Sequence, residues 1–116
     1  MKTQRIFRVL SVSAVLSVTS AAHCIDITGP VQRIQISGDG NLWFSMDTAG
    51  TAPYCAPNWY GMTLFVPRDS AQFPYYFAMV MAAQLKGKNL YVPNITGSAT
   101  VSCDITKTGY GLAMMP

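Results

Sequence analysis

The segment YYFAMVMAAQLKGKNLYVP, residues 75–93, changes from helical to strand periodicity at a single glycine. Its apolar side chains first recur at helical spacing, at Phe77, Val80, Met81 and Leu85. This spacing predicts a helix over residues 75–86 that packs those side chains against a core. Gly87, between two lysines, is typical of a helix C-cap. Residues 88–93 then alternate in the manner of a strand.

Strand patterns also lie on both sides of this segment. Residues 31–36 and 42–46 alternate around the turn residues SGDGN (37–41), which predicts a β-hairpin. Residues 59–66 predict a third strand, which follows a loop over residues 48–58 that contains two prolines. Beyond the strand at 88–93, alternation predicts further strands at 101–105 and 110–115.

The predicted order is three strands, a helix and then two strands, the last of which can divide into a hairpin. A mainly β chain with one helix between the third and fourth strands matches a small five-stranded OB-like barrel. The alternative is an α+β sheet with one packed helix, because strand pairing is a long-range property that periodicity does not specify.

The first 22 residues predict a secretory signal peptide, which leaves residues 23–116 as a single domain. Lys2, Arg5 and Arg8 precede an apolar stretch, and small residues stand before His23. A membrane anchor is the competing interpretation, but the apolar stretch is shorter than the roughly 20 residues that a spanning helix needs. We therefore expect a periplasmic or secreted protein without stable membrane insertion of the mature chain.

Removal of this leader changes the net charge. The chain has eight Lys and Arg residues, and the leader carries three of them, so five remain against five Asp. A mature chain with no net charge and no basic run lacks the electrostatic footprint of a nucleic-acid-binding protein. We expect no nucleic-acid partner.

The chain has three cysteines, Cys24, Cys55 and Cys103. Export to an oxidising compartment favours a disulfide, and three pairings are open. Cys55–Cys103 is the predicted pair, because both residues lie inside patterned sequence, whereas Cys24 stands at the new N-terminus. Three scattered cysteines and one histidine do not have the close-paired spacing of zinc sites, so we expect no metal or other cofactor.

Enzymatic chemistry finds little support in the sequence. The one histidine, His23, stands at the end of the mature chain, where a nucleophile would have to recruit it as a base. The mature chain has no Glu, and its aspartates lie mostly in turns. We expect a protein that is not an enzyme, with a small hydrolase using His23 as a distant alternative.

Three aromatic residues are candidate ligand-binding residues. Trp43 lies on the strand face opposite Leu42, and Trp59 with Tyr60 lies beside the Cys55 loop. An exposed aromatic ring can stack on a sugar or anchor a protein partner. The alternative is that these rings are buried, as large aromatics usually are.

Four features resemble a group of small exported bacterial proteins of unknown function. They are Cys55, Trp59 at the start of a strand, FAMVMAAQLKGKNLYV (77–92), and SCDITKTGYGLAMM (102–115). The layout is also similar to the OB-fold B subunits of subtilase cytotoxin and typhoid toxin, which form pentamers and bind sialylated glycans. The resemblance implies an exported binding module, although no glycan-binding motif carries over residue by residue.

The sequence therefore predicts a non-enzymatic exported module that binds a glycan or a protein surface. The rival is a structural or assembly protein of the bacterial envelope with no small ligand. Self-association into a homo-oligomer is compatible with both.

Overall fold

The computed structural model of the protein describes residues 24–97 and 100–116. The predicted signal peptide and His23 lie outside the described residues. Within them the chain forms seven strands and two α-helices: β1 (Cys24–Pro30), β2 (Arg33–Ile36), β3 (Leu42–Ser45), α1 (Thr48–Thr51), β4 (Leu64–Val66), α2 (Phe73–Lys86), β5 (Asn89–Thr96), β6 (Cys103–Asp104) and β7 (Ala113–Met114). Short 3-10 turns occupy Trp59–Gly61 and Ile105–Lys107.

The strands form two separate sheets. The first has the order β1-β5-β7 and is antiparallel, and the second has the order β2-β3-β4-β6. In the second sheet β4 and β6 run parallel, and the other pairs are antiparallel. The described strands thus do not close into a barrel, so the predicted five-stranded barrel is wrong. A small α+β fold, the alternative, fits the observed arrangement.

The strand β1 explains why the barrel does not form. Its segment directly follows the predicted cleavage site, and it makes the longest pairing, from Cys24↔Thr96 to Pro30↔Asn89. This pairing occupies one edge of β5, and β7 occupies the other. With β1 along one edge and β7 paired at Leu90 and Tyr91 on the other, β5 forms no pair with a strand of the second sheet.

The helix α2 joins the two sheets, since it contacts β4 in one and β5 and β7 in the other. Its predicted end is confirmed: Gly87 has a φ of 65°, and the N–H of Lys88 donates to the carbonyl of Ala83 at 2.9 Å. Such a left-handed glycine with a six-to-one hydrogen bond is the Schellman ending of a helix. Val80 and Ala83 are fully buried against the core.

The predicted core position of Leu85 is wrong, because this side chain is 77% exposed. At 3.6 residues per turn, five positions beyond Val80 lie about 140° around the helix, and this turns Leu85 away from the core. The buried side runs instead through Phe73, Phe77, Val80 and Ala83.

The predicted disulfide is confirmed. Cys55 and Cys103 are bonded, with their Cα atoms 5.3 Å apart. The bond joins the loop before β4 to the first residue of β6, whose Cys103 is also paired with Leu64. Cys55 is fully buried, whereas Cys24 is free and exposed.

Candidate functional site

A tight turn over Asn58–Met62 produces the most exposed aromatic pair of the fold. The N–H of Asn58 donates to the carbonyl of Met62, and the N–H of Gly61 donates back to Asn58, both at 2.9 Å. Tyr60 has a φ of 48° and Gly61 a φ of 79°. The chain therefore reverses here, and the prediction that β4 begins at Trp59 is wrong.

This reversal leaves two neighbouring aromatic rings at the surface. Trp59 is 46% exposed and Tyr60 is 66% exposed. Their ring centroids are 5.8 Å apart with 27° between the ring planes, so the rings stack. Exposing both rings forgoes the free energy that their burial would supply, roughly 25 cal/mol per Å2 of apolar surface.

The left-handed backbone at Tyr60 has a tertiary support. A non-glycine residue in this conformation costs about 1–2 kcal/mol. Arg33, at the start of β2, donates from Nη1 to the carbonyl of Tyr60 at 3.0 Å. Its guanidinium carbon also lies 6.0 Å from the centroid of the Tyr60 ring, at the limit of a cation–π contact.

We name Arg33, Trp59 and Tyr60 the aromatic corner. Two shallow hollows adjoin it, of about 330 Å3 and about 450 Å3, and both are lined by Arg33 and Tyr60. The other side chains that line them are mostly polar, namely Gln32, Ile34, Gln35, Ser45 and Thr48. The corner is therefore an aromatic surface surrounded by hydrogen-bonding groups.

Trp43 does not belong to this corner. It is 7% exposed, and its ring stacks on Phe65 of β4 with 4.8 Å between ring centroids. All four residues of β3 are buried, so the face that was considered for ligand binding is covered. The structure thus brings together two of the three predicted binding residues.

Arg33 is the member of the corner that sequence analysis missed. It lies 27 residues from Tyr60, and only tertiary folding brings the two together. In the sequence it is one polar residue of an alternating strand. The unusual φ of a tyrosine also leaves no trace in residue spacing.

A second polar cluster lies where β5 bulges opposite Asp26 of β1. Asp26 accepts 2.9 Å hydrogen bonds from the Tyr91 hydroxyl and from the backbone N–H of Asn94. These two bonds lower the pKa of Asp26, the Asn94 amide having the larger effect, and the bond to Asp26 raises the pKa of Tyr91. Because both carboxylate oxygens already have donors, we interpret this cluster as structural.

Two further features, a metal-binding cluster and a membrane-spanning helix, are absent from the described part of the chain. Residues 24–97 and 100–116 contain no group of three His, Cys, Asp or Glu side chains that could hold a metal ion. The same residues contain no helix that is both long enough and apolar enough to cross a bilayer.

Neither a protein-family model, nor a curated protein, nor a solved structure matches this chain. The resemblance to toxin B subunits is therefore neither supported nor refuted. The functional argument rests on the geometry of the aromatic corner.

Proposed function

We propose that this protein is an exported, non-enzymatic binding module that holds a glycan at the aromatic corner. The observation that carries the proposal is the exposed Trp59–Tyr60 stack on a left-handed turn that Arg33 supports. Strained backbone of this kind persists where the surrounding structure enforces it, and it concentrates at functional sites.

The chemistry around the rings favours a sugar. An aromatic face packs against the apolar face of a pyranose, and the sugar hydroxyls need both donors and acceptors. The amide side chains of Gln32 and Gln35 supply both, and Arg33 keeps further N–H donors besides the one given to Tyr60.

The rigidity of the turn supports binding as well. Asn58, Gly61 and Met62 are joined by main-chain hydrogen bonds before any ligand arrives. Binding then avoids the entropy cost of ordering the backbone of a loop.

The signal peptide predicted over residues 1–22 supports the export part of the proposal, and the Cys55–Cys103 disulfide is compatible with it. The expected location is the periplasm or the medium. Intact-mass measurement of the protein from the producing cell tests this part, since cleavage before His23 removes 22 residues. An uncleaved chain would contradict it.

Binding is tested by a glycan array probed with the purified protein, followed by titration of the bound glycans. We expect Trp59→Ala and Tyr60→Ala each to weaken binding at least about tenfold, which corresponds to about 1.4 kcal/mol. Tyr110→Ala is the matched control, because Tyr110 is 72% exposed but lies outside the aromatic corner, beside Asp26 and Tyr91.

An array without any bound glycan would contradict the proposal, and so would a Tyr60→Ala variant that binds as the wild type does. If no glycan binds but Trp59 and Tyr60 are required to retain an extracellular protein, the corner is a protein-docking site. In that case the glycan proposal is wrong.

The second candidate function is a structural or assembly protein of the envelope. The apolar outward side of α2 favours it, since Tyr75 and Leu85 are 74% and 77% exposed. A stable oligomer in light scattering, together with an empty glycan array, would support this candidate over the first.

A further inference from the structure

The helix α2 has an exposed apolar side that faces away from both sheets. Tyr75 and Leu85 are 74% and 77% exposed, and Ala78 and Ala82 lie between them at spacings of three, four and three residues. Residues at these spacings share one side of a helix. No charged residue occurs from Phe73 through Leu85. A helix that is apolar all round is normally covered on both sides.

The charges at the two ends of α2 differ in sign. Asp69 is exposed in the turn before the helix, and Lys86 and Lys88 are exposed at its end. Arg68, next to Asp69, lies instead against Gly40 of the β2–β3 turn. In this turn the hydrogen bond from Ser37, then that from the Asn41 amide, and last the charge of Arg68 lower the pKa of Asp39. The exposed side of α2 is thus bordered by a carboxylate at one end and by two ammonium groups at the other.

This charge arrangement selects the orientation of a second helix. A copy packed parallel would place Asp69 beside Asp69 and lysine beside lysine. A copy packed antiparallel places each carboxylate near the other copy's lysines, and it also aligns the two helix dipoles favourably. The charges at the ends of α2 are therefore complementary between two copies when the helices pack antiparallel.

We propose that a second copy of this chain covers the outward side of α2, with the two helices antiparallel about a two-fold axis between Ala78 and Ala82. Such an axis places Tyr75 against the partner's Leu85 and the partner's Tyr75 against Leu85, as an isologous contact requires. The ten residues between Tyr75 and Leu85 span about 15 Å of helix, so the two contacts lie at opposite ends of the interface.

The interface is small. One side of a 14-residue helix buries less than the roughly 1,200–2,000 Å2 of a standard stable interface. The dimer is accordingly weak, and its population rises with protein concentration. The aromatic corner lies on another element, so this inference does not depend on the glycan proposal.

Sedimentation of the purified protein over about a hundredfold range of concentration tests the inference. We expect a monomer–dimer equilibrium in the wild type and at least about tenfold weaker association for Leu85→Glu, because a charge would enter the apolar contact. Tyr110→Ala is the matched control and is expected to associate as the wild type does. Thermal unfolding of each variant checks that the fold is retained.

The charge pattern has a separate test. Asp69→Lys is expected to weaken the dimer, and the triple variant Asp69→Lys, Lys86→Asp, Lys88→Asp is expected to recover it, because the pattern is then reversed but again complementary. A triple variant that associates no more tightly than Asp69→Lys would contradict the antiparallel orientation.

Cross-linking distinguishes the two orientations directly. In a Cys24→Ser background, Tyr75→Cys protein mixed with Leu85→Cys protein is expected to form the mixed disulfide faster than either homodisulfide. A wild type that stays monomeric throughout, or faster 75–75 cross-linking, would overturn the proposal. A dimer that is unchanged in Leu85→Glu would also overturn it. So would a wild type that is monomeric and captures a different protein, if Leu85→Glu abolishes that capture.

Discussion

The hydroxyl of Tyr91 on β5 donates a 2.9 Å hydrogen bond to the carboxylate of Asp26 on β1. The register of these two strands shifts between Ile25 and Ile27, where Asp26 on β1 lies opposite two residues of β5, Pro93 and Asn94, so β5 carries the bulge. The other carboxylate oxygen of Asp26 accepts from the N–H of Asn94, which has a φ of 59°. The side chain of Asp26 therefore holds the two strands together at the point where their register shifts.

This pairing predicts a pH dependence of stability with two limbs. The folded state lowers the pKa of Asp26 below about 3.8, so its stabilisation is complete above that value and is lost as the pH falls through the lowered folded pKa. The folded state raises the pKa of Tyr91 above about 10.0, so its contribution is complete below that value and is lost as the pH rises through the raised folded pKa.

Urea unfolding against pH measures both limbs. Asp26→Asn should flatten the acid limb relative to the wild type, and Tyr91→Phe should flatten the alkaline limb. Asp69→Asn is the control, since it removes an exposed carboxylate from another element and should leave both limbs in place. Identical acid limbs for the wild type and Asp26→Asn would contradict the assignment.

The disulfide is expected to be a large contributor to the free energy of unfolding. Cys55 and Cys103 are 48 residues apart, and a loop of this length corresponds to about 4 kcal/mol in the chain-entropy model. We expect the double variant Cys55→Ala, Cys103→Ala to lose stability of that order in urea unfolding, and Cys24→Ser to lose none. Alkylation of the non-reduced native protein should modify Cys24 alone, and modification of Cys55 would contradict the pairing.

Gly97 is expected to tolerate no side chain. A Cβ atom at this position would collide with the carbonyl oxygen of Tyr54 and would lie 3.2 Å from Sγ of Cys103. Since the first obstacle is backbone, Gly97→Ala should destabilise the protein by about 1–3 kcal/mol, as overpacking does. Gly38→Ala is the matched control, because a Cβ there meets no atom within 4 Å. Equal melting temperatures for the two variants would contradict this account.

The tyrosine side chain at position 60 is expected to lower the free energy of unfolding while it contributes to glycan binding. Glycine adopts a φ of 48° without the steric cost that tyrosine has, so Tyr60→Gly should leave the free energy of unfolding unchanged or raise it by up to about 1 kcal/mol. The same substitution removes the ring and should abolish glycan binding. Trp59→Gly, at a neighbour without positive φ, should lower stability instead. A marked loss of stability in Tyr60→Gly would show that the turn is not strained.

Local patterns predicted the local structure well. The β2–β3 hairpin follows from alternation around SGDGN, and α2 follows from helical spacing that ends at Gly87. The sequence also predicted the Cys55–Cys103 pair, because both cysteines stand in patterned segments. For the hairpin and the helix, the determining residues are close in sequence.

Long-range pairing was not predictable in the same way. Ile25 and Ile27 alternate in β1, but this alternation does not specify that β1 pairs with β5, some 65 residues further along the chain. The choice between one barrel and two sheets depends on which edges of β5 are occupied, and no local period encodes that choice. The contact of Arg33 with Tyr60 depends on a positive φ, which is a product of the folded environment.

The bond between Cys55 and Cys103 has a consequence for the connectivity of the molecule. It closes a covalent ring that contains β4, α2 and β5, while β1 to β3 enter at one end of the ring and β7 leaves from the other. The strands outside the ring pair with strands inside it, β3 with β4 and both β1 and β7 with β5. A protease that cuts once within the ring therefore adds one water molecule and releases no fragment.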